Sequence, residues 1–546
     1  MTNRRPFGLV MVVVAALGLS ACEAPEPAVS DAQPMFRRLT EQQYRTIIAD
    51  VFGPHIVVAG SFDPILREEE LITVSAGNAT ISASSFEKFE KLAHGIATQV
   101  VAPANRKLLI GCAPALADAA DDACARQFLD RAGRFLFRRP LTAAESDRLV
   151  AVSAAAAAEV GDFYGGLSFG VAGLLVSPHF LFVADTLAVD GADEDAPRLS
   201  AYAKAARLSF FLWNTTPDDA LLRAAESGAL DTPQGLEAQV DRLLASPRLA
   251  DGVRALFADM LAVDKFDALS KDPVIYPAFD PMAAADAREQ LLRTVAYHLV
   301  ERDADYRTLF ETRETFMTPV LGRVYRVPVA DLEGWSRFTF PADDARAGIH
   351  TLAGFMALHA HPGRSSPTIR GKAVRELLLC QKIPDPPGDV DFSQFNAPSS
   401  AALVARERLA AHNSVASCAG CHKLTDGIGL SLEYFDGAGQ FRTTEAGAAI
   451  DISGDLDGVA FTTTQGLAQA LRDHPMIPAC LVRRTVAYAL AGVVHGPQSA
   501  WEEHLMQRFG QGGFRLKPLM KAIALSPNFV AVGAPGAAST AAEEHS

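Results

Sequence analysis

Cys418-Ala419-Gly420-Cys421-His422 is the stretch on which the reading of this chain turns. Two thiols three positions apart, followed at once by a histidine, form the spacing that attaches a c-type haem. Each thiol adds to one vinyl group of the same haem, and the adjacent histidine reaches the iron from one face. With 7 cysteines and 13 histidines in 546 residues, chance supplies only about 0.002 such motifs. A thiol–disulfide pair, or half of a zinc site, uses the same residues. A zinc site calls for two further ligands at matching spacing, and no second Cys-x-x-Cys or His-x3-His is present. The motif therefore predicts one covalent haem c per chain, held by Cys418 and Cys421, with His422 as proximal iron ligand.

The other iron ligand is less plainly marked. His361 stands in His361-Pro-Gly-Arg-Ser-Ser-Pro367, with Arg364 and Arg370 close by in sequence. Arginines so placed can pair haem propionates, so His361, Arg364 and Arg370 are candidate pocket residues and His361 the candidate distal ligand. Met476 is the alternative, and His412 a further candidate. An open sixth position would permit oxygen or peroxide chemistry.

The N-terminus predicts the compartment. Arg4 and Arg5 precede a short apolar run, Val10 to Leu19, which ends in Leu19-Ser-Ala-Cys22. This has the form of a lipoprotein signal, with Cys22 as the lipidated residue. The expectation is an exported lipoprotein, periplasmic or at the cell surface, held at the outer membrane by its lipid anchor. Removing Cys22, Cys418 and Cys421 leaves Cys112, Cys124, Cys380 and Cys480, an even number suited to an oxidising compartment. Cys112 and Cys124 flank a short acidic loop and form the natural local pair. Cys380 with Cys480 then closes a loop around the haem motif.

A net charge of −14 argues against nucleic acid as a partner. No phosphate-binding loop, dinucleotide-binding glycine pattern or Gly-x-Ser-x-Gly appears. The paired carboxylates Asp218-Asp219 and Asp343-Asp344 read as helix caps. Expected partners are the membrane, through the lipid, and a redox protein or extracellular substrate.

Capping and periodicity predict a mainly α, multi-module protein with little β structure, in which the Cys418–His422 motif marks the haem-binding segment. Thr40 caps a helix ending at Gly53, and Thr142-x-x-Glu145 is a capping box before an alanine run. Ser200 caps the helix to Trp213, and Ser366, followed by Pro367, caps a helix running to Cys380. Asp185 to Ala196 reads as an acidic linker, Met317 to Pro341 as irregular, and Asp451 to Phe461 as a small hairpin. The modules are a signal peptide (1–21), a tether (22–35), N-terminal helical modules (36–190), a central helical module (197–342), a module carrying the haem motif (345–445), a C-terminal helical module (446–530) and a disordered tail (531–546).

Several stretches together carry a resemblance. They are Phe36-Arg-Arg-Leu-Thr-Glu-Gln-Gln-Tyr44, Arg134-Phe-Leu-Phe-Arg-Arg-Pro-Leu141, Leu199-Ser to Leu208-Ser-Phe-Phe-Leu-Trp213, His361-Pro to Arg370-Gly371, Cys418 to His422 running on to Leu432-Glu-Tyr-Phe-Asp436 and Arg442, and Cys480 to Leu490. In this order they resemble the secreted, planctomycete-type, cytochrome-c-like proteins assembled from adjoining domains of unknown function. The resemblance implies one Cys-x-x-Cys-His motif and an extracytoplasmic location, and brings no established substrate. The family's usual Asp-Pro after the motif is here Asp426-Gly427. The functions that follow are electron transfer or haem-based oxidation, as a haem-dependent oxidoreductase. The alternative is a cell-surface binding or scaffold lipoprotein in which the motif is structural.

Overall fold

The structure is a computed structural model that describes residues 25–29, 34–188, 198–384, 404–413, 416–492 and 498–532; side chains at 411–413, 416–418 and 498–499 lie outside the description. The signal peptide with Cys22, most of the tether, the end of the 185–196 linker, most of the Pro384–Phe392 connector and the tail from 533 also fall outside the described residues.

The predicted caps start the helices. Thr40 closes a capping box with Gln43 at the head of Glu41–Phe52, and Thr142 does the same with Glu145 at the head of Ala143–Val160. Each box satisfies backbone donors that the first helical turn leaves open. The alanine run of Ala143–Val160 packs against a glycine-bearing face of Phe163–Leu175. A Cβ on Gly166 would stand 2.5 Å from that of Ala157, and one on Gly170 2.2 Å from Ser153 Oγ. Small residues on both sides let the two helices touch along their backbones.

These helices, with Ala83–Val100 and Asp122–Leu136, enclose an N-terminal core that includes Tyr44, Ile47, Phe128, Leu129 and Phe180. Phe36–Arg38 pairs antiparallel with Phe182–Ala184 and brings the two ends of this module together. Periodicity did not predict that strand pair, because each strand has only three residues.

Asp185, read as the start of a linker, is a correction. Its carboxylate is buried against the Arg207 guanidinium. A buried carboxylate persists only where a cation compensates it, and Arg207 comes from the next helix, out of reach of local pattern. That helix, Ala201–Trp213, joins two cores. Ala206 and Phe210, one turn apart, face the N-terminal core, while Ala205, Leu208 and Leu212 face the larger one.

The larger core runs without a break through the central, motif-bearing and C-terminal segments. Leu256, Leu291, Phe355, Leu432, Leu481 and Trp501 all belong to it. The sequence breaks near 342–345 and 445–446 therefore do not separate hydrophobic cores. The 317–341 stretch is also more regular than expected: it holds the helix Pro319–Tyr325 and the strand Ser336–Thr339, which pairs with Glu314–Met317. The hairpin expected within 451–461 is present, Gly454–Leu456 against Val459–Phe461. Both disulfides form as paired, Cys112–Cys124 and Cys380–Cys480. Among the described residues no helix is long and apolar enough to cross a membrane.

Two predictions follow from the larger core. Replacing Cys380 and Cys480 together by alanine frees a loop spanning 100 residues of sequence separation. Unfolding in denaturant should then require roughly 2–5 kcal/mol less. His350 and His359 are buried, and burial holds each well below the ordinary value of 6.5, at about 3. The unfolded chain takes up these protons first as pH falls. Stability should be flat above about pH 6.5 and decline between pH 6.5 and 3, by up to about 1.4 kcal/mol per pH unit per histidine. His350→Leu should remove one proton from that slope, read from unfolding midpoints across pH.

Candidate functional site

The Cys-x-x-Cys-His motif lies within a helix, Ala416–Leu430, that follows the shorter Ala405–Asn413. The motif's own residues are helical. The side chains of Cys418 and His412 are outside the description. Cys421 belongs to no disulfide and is partly exposed.

His422 is mostly buried, its side chain 13% exposed, and its Nδ1 lies 2.9 Å from Asp426 Oδ2. Asp426 sits one turn further along the helix and is itself buried. Its other oxygen accepts a hydrogen bond from Thr368 Oγ1 at 2.9 Å. A carboxylate on Nδ1 favours the tautomer with its proton there and a lone pair on Nε2. That is the form of histidine that ligates a metal.

Thr368 reaches this place because two helices cross at glycines. On Pro367–Ala373, a Cβ at Gly371 would stand 1.9 Å from the Thr425 carbonyl oxygen. On the motif helix, a Cβ at Gly429 would stand 1.8 Å from that of Pro367. Any side chain at either position would push the helices apart. Ser366 caps the first of these helices, with Pro367 at its first position, as predicted.

Arg370, immediately before Gly371, is fully buried. Its guanidinium donates to the carbonyls of Leu432 (3.0 Å), Phe435 (2.6 Å) and Asp436, and pairs with Glu433 at 3.3 Å. The same carboxylate accepts from Ser365 Oγ (2.7 Å) and Arg442 (2.8 Å). Burial presses the Arg370 value down and that of Glu433 up, and the opposite charges partly offset it. Arg370 thus fastens its helix to the turn that follows the motif helix.

The remaining candidates stand elsewhere on this frame. His361 and Arg364 lie in a loop docked on residues 271–276. Lys271, buried and held at about 8 by loss of water, donates to the carbonyls of Ala360 and His361. Burial, with Arg364 and Lys271 nearby, keeps His361 below its usual value. Met476 begins the helix that carries Cys480 and packs partly buried on the larger core. Its amide donates to His474 Nδ1 at 3.1 Å, and His474 Nε2 meets Asp457 at 3.0 Å. Asp457 pairs with Arg375 at 2.8 Å, and Arg375 Nε donates to the Leu424 carbonyl on the motif helix. A continuous set of hydrogen bonds so links the Met476 turn to the motif helix.

Sequence reasoning did not single out Thr368, Asp426, Glu433 or Arg375 as site residues. Asp426 carried a usable signal: it stands four positions after His422, the spacing that places two side chains on one helical face. Thr368 and Arg375 carried none, since tertiary packing alone brings them to the motif.

Three segments match known families. Residues 124–185 match "Protein of unknown function (DUF1595)", residues 199–327 "Protein of unknown function (DUF1592)", and residues 346–445 "Protein of unknown function (DUF1588)". The last, whose short name PSCyt3 hints at a cytochrome-like module, contains the whole of Cys418–His422. No curated protein and no solved structure matches the chain.

The Arg370 arrangement predicts a large stability effect. Glu433→Ala leaves a buried guanidinium without its charge partner and should cost about 3–5 kcal/mol in denaturant unfolding. Arg442→Ala removes a partner that is 22% exposed and should cost about 1–3 kcal/mol.

Proposed function

We propose, since this chain belongs to the planctomycete-type, cytochrome-c-like proteins assembled from adjoining DUF1595, DUF1592 and DUF1588 modules, that it is an exported c-type haem lipoprotein serving electron transfer or haem-based oxidation. The observation that carries this reading is the His422–Asp426 pair at 2.9 Å on the helix that also bears the free thiol of Cys421. A metal-ligating histidine characteristically donates its other ring N–H to a carboxylate, a carbonyl or water, and Asp426 supplies such a partner.

The residues present fit the group. Cys418 and Cys421 would hold a haem covalently, with His422 Nε2 toward the iron. Bound there, haem supplies one-electron redox chemistry. Asp426 holds the His422 ring in its ligating tautomer and orientation. Thr368 orients Asp426 from the neighbouring helix. The glycine crossing and the Arg370 contacts keep both helices fixed, so the ligand is held in place before the group binds. For the distal side, His361 is the candidate, kept neutral by burial, with Arg364 and Arg370 as its neighbours in sequence. Met476 is the other, supported by the hydrogen bonds that link its turn to the motif helix. Export and anchoring through Cys22 are supported by the form of the N-terminal sequence and by two disulfides, which suit an oxidising compartment.

Expression with haem-attachment machinery should give a chain heavier by one haem, with an absorption spectrum that survives acid–acetone extraction. A colourless chain, or haem lost to the solvent, would instead favour a structural role for the motif in a scaffold lipoprotein. Asp426→Asn should load haem normally and raise the midpoint potential, because without a negative charge on the far side of the His422 ring the oxidised, more positive iron is stabilised less. His361→Ala should alter the reduced spectrum or the potential; unchanged values would leave Met476 or an open position.

A further inference from the structure

A cleft of about 690 Å³ opens where the N-terminal module meets the helices Leu249–Met260 and Met476–Leu490. That volume lies in the range of roughly 300–1,000 Å³ typical of small-molecule sites. None of its lining residues belongs to the motif helix or to the helix crossing it. We infer that this cleft is a binding site for an uncharged, hydroxyl-rich ligand, a short neutral saccharide.

Among the described residues every charged side chain of the lining except Arg38 has an ion-pair partner, the exposed Arg288 with Asp267 included. Arg67 is paired with Asp259 at 3.0 Å and with Asp264, and Asp259 also accepts from the amides of Ile72 (2.8 Å) and Thr73 (3.0 Å). Nearer the mouth, Arg45 pairs with Glu41 at 2.7 Å, and Asp63 pairs with Lys88. The buried Arg38 donates to the carbonyls of Thr80 and Asp63. An anionic ligand would have to displace a carboxylate from its guanidinium, and a cationic one would have to displace the guanidinium. At Arg67–Asp259, with side chains 12% and 8% exposed, either exchange would break a buried pair and cost more than it returns.

What the cleft leaves open is neutral. Asn214 is 5% exposed and lines it. The Asn214 Oδ1 accepts from Gln43 Nε2 at 2.8 Å and from the Tyr488 hydroxyl at 3.1 Å. Those bonds fix the amide so that Nδ2 remains a donor with no partner among the described residues. Thr73, 4% exposed, likewise lines the cleft with a hydroxyl that makes no hydrogen bond among the described residues. Both atoms keep access to solvent, so a ligand hydroxyl in the cleft can meet them. Apolar surface sits beside them: Ile72 and Ala258, with the Phe62 ring on the wall. Unpartnered neutral hydrogen-bonding groups next to an aromatic ring suit a sugar, which offers hydroxyls along its edge and C–H groups on its face.

The test uses the full-length, haem-loaded chain and calorimetric titration. Probes are the neutral trisaccharides cellotriose, maltotriose, xylotriose and N,N′,N″-triacetylchitotriose, each to 10 mM, with trigalacturonate as the anionic control and trialanine amide, acetylated, as the peptide control. At least one neutral trisaccharide should bind. Thr73→Val, which removes the hydroxyl at constant shape, should weaken that binding about three- to tenfold. Ala258→Trp, which fills the cleft, should abolish it, with the haem spectrum and thermal midpoint near those of the parent confirming an intact fold. Binding of none of the four would overturn the inference. So would tighter binding of trigalacturonate or of the peptide, or saccharide binding that neither variant changes. A chain that binds saccharide but carries no haem would leave this inference standing while removing the haem reading.

Discussion

The guanidinium of Arg370 is the point on which the motif-bearing region depends. It is fully buried, yet it meets the Glu433 carboxylate, the Met356 carbonyl and the backbone carbonyls of Leu432, Phe435 and Asp436. The last three carbonyls come from the turn that follows the motif helix, where regular helical bonding has ended and acceptors need donors. One planar cation satisfies several of them at once, which a lysine with a single nitrogen does not do as well. Ser365 and Arg442 complete the carboxylate. The charge cannot leave this place without exposing unpaired acceptors in the core.

From that fixed point the geometry around His422 follows. The helix bearing Arg370 also bears Thr368 and Gly371. Gly371 and Gly429 let it approach the motif helix closely enough for backbone contact. Thr368 is then within hydrogen-bonding distance of Asp426, and Asp426 of His422. Each contact is ordinary, but their order matters: a buried cation sets the turn, glycines set the helix spacing, and the spacing sets the histidine. A second set of polar contacts, from Leu424 through Arg375, Asp457 and His474, joins the same helix to the C-terminal segment. The Cys380–Cys480 disulfide ties those two regions covalently.

The two cores divide the work differently. The N-terminal one is closed by small-residue helix packing and one short strand pair. The larger one accepts residues from the central, motif-bearing and C-terminal segments alike. The cleft lined by Asn214 and Thr73 lies where these bodies meet, a common place for ligand sites. A protein with a redox group on one element and a saccharide site between its modules would be held beside its substrate or surface rather than meeting it by diffusion.

Much of this was legible in the sequence. Local chemistry decides where helices start, so Thr40, Thr142, Ser200 and Ser366 could be named as caps without a structure. The mainly α class followed from apolar periodicity, and the two disulfides from cysteine count and proximity. His422 and its motif stood out because two cysteines and a histidine at that fixed local spacing are rare by chance. What the sequence could not give was every role that depends on a partner distant along the chain. Asp185 read as linker until Arg207 neutralised it, and the 317–341 stretch read as irregular until a strand on its far side paired with it. Arg370 read as a pocket arginine, whereas its hydrogen bonds tie it to the turn after the motif helix. Thr368 had no local signal at all. Caps, periodicity and motif spacing are set by neighbours within a few residues, and sequence displays them. Burial and charge pairing are set by what tertiary folding brings together, and only the folded structure decides them.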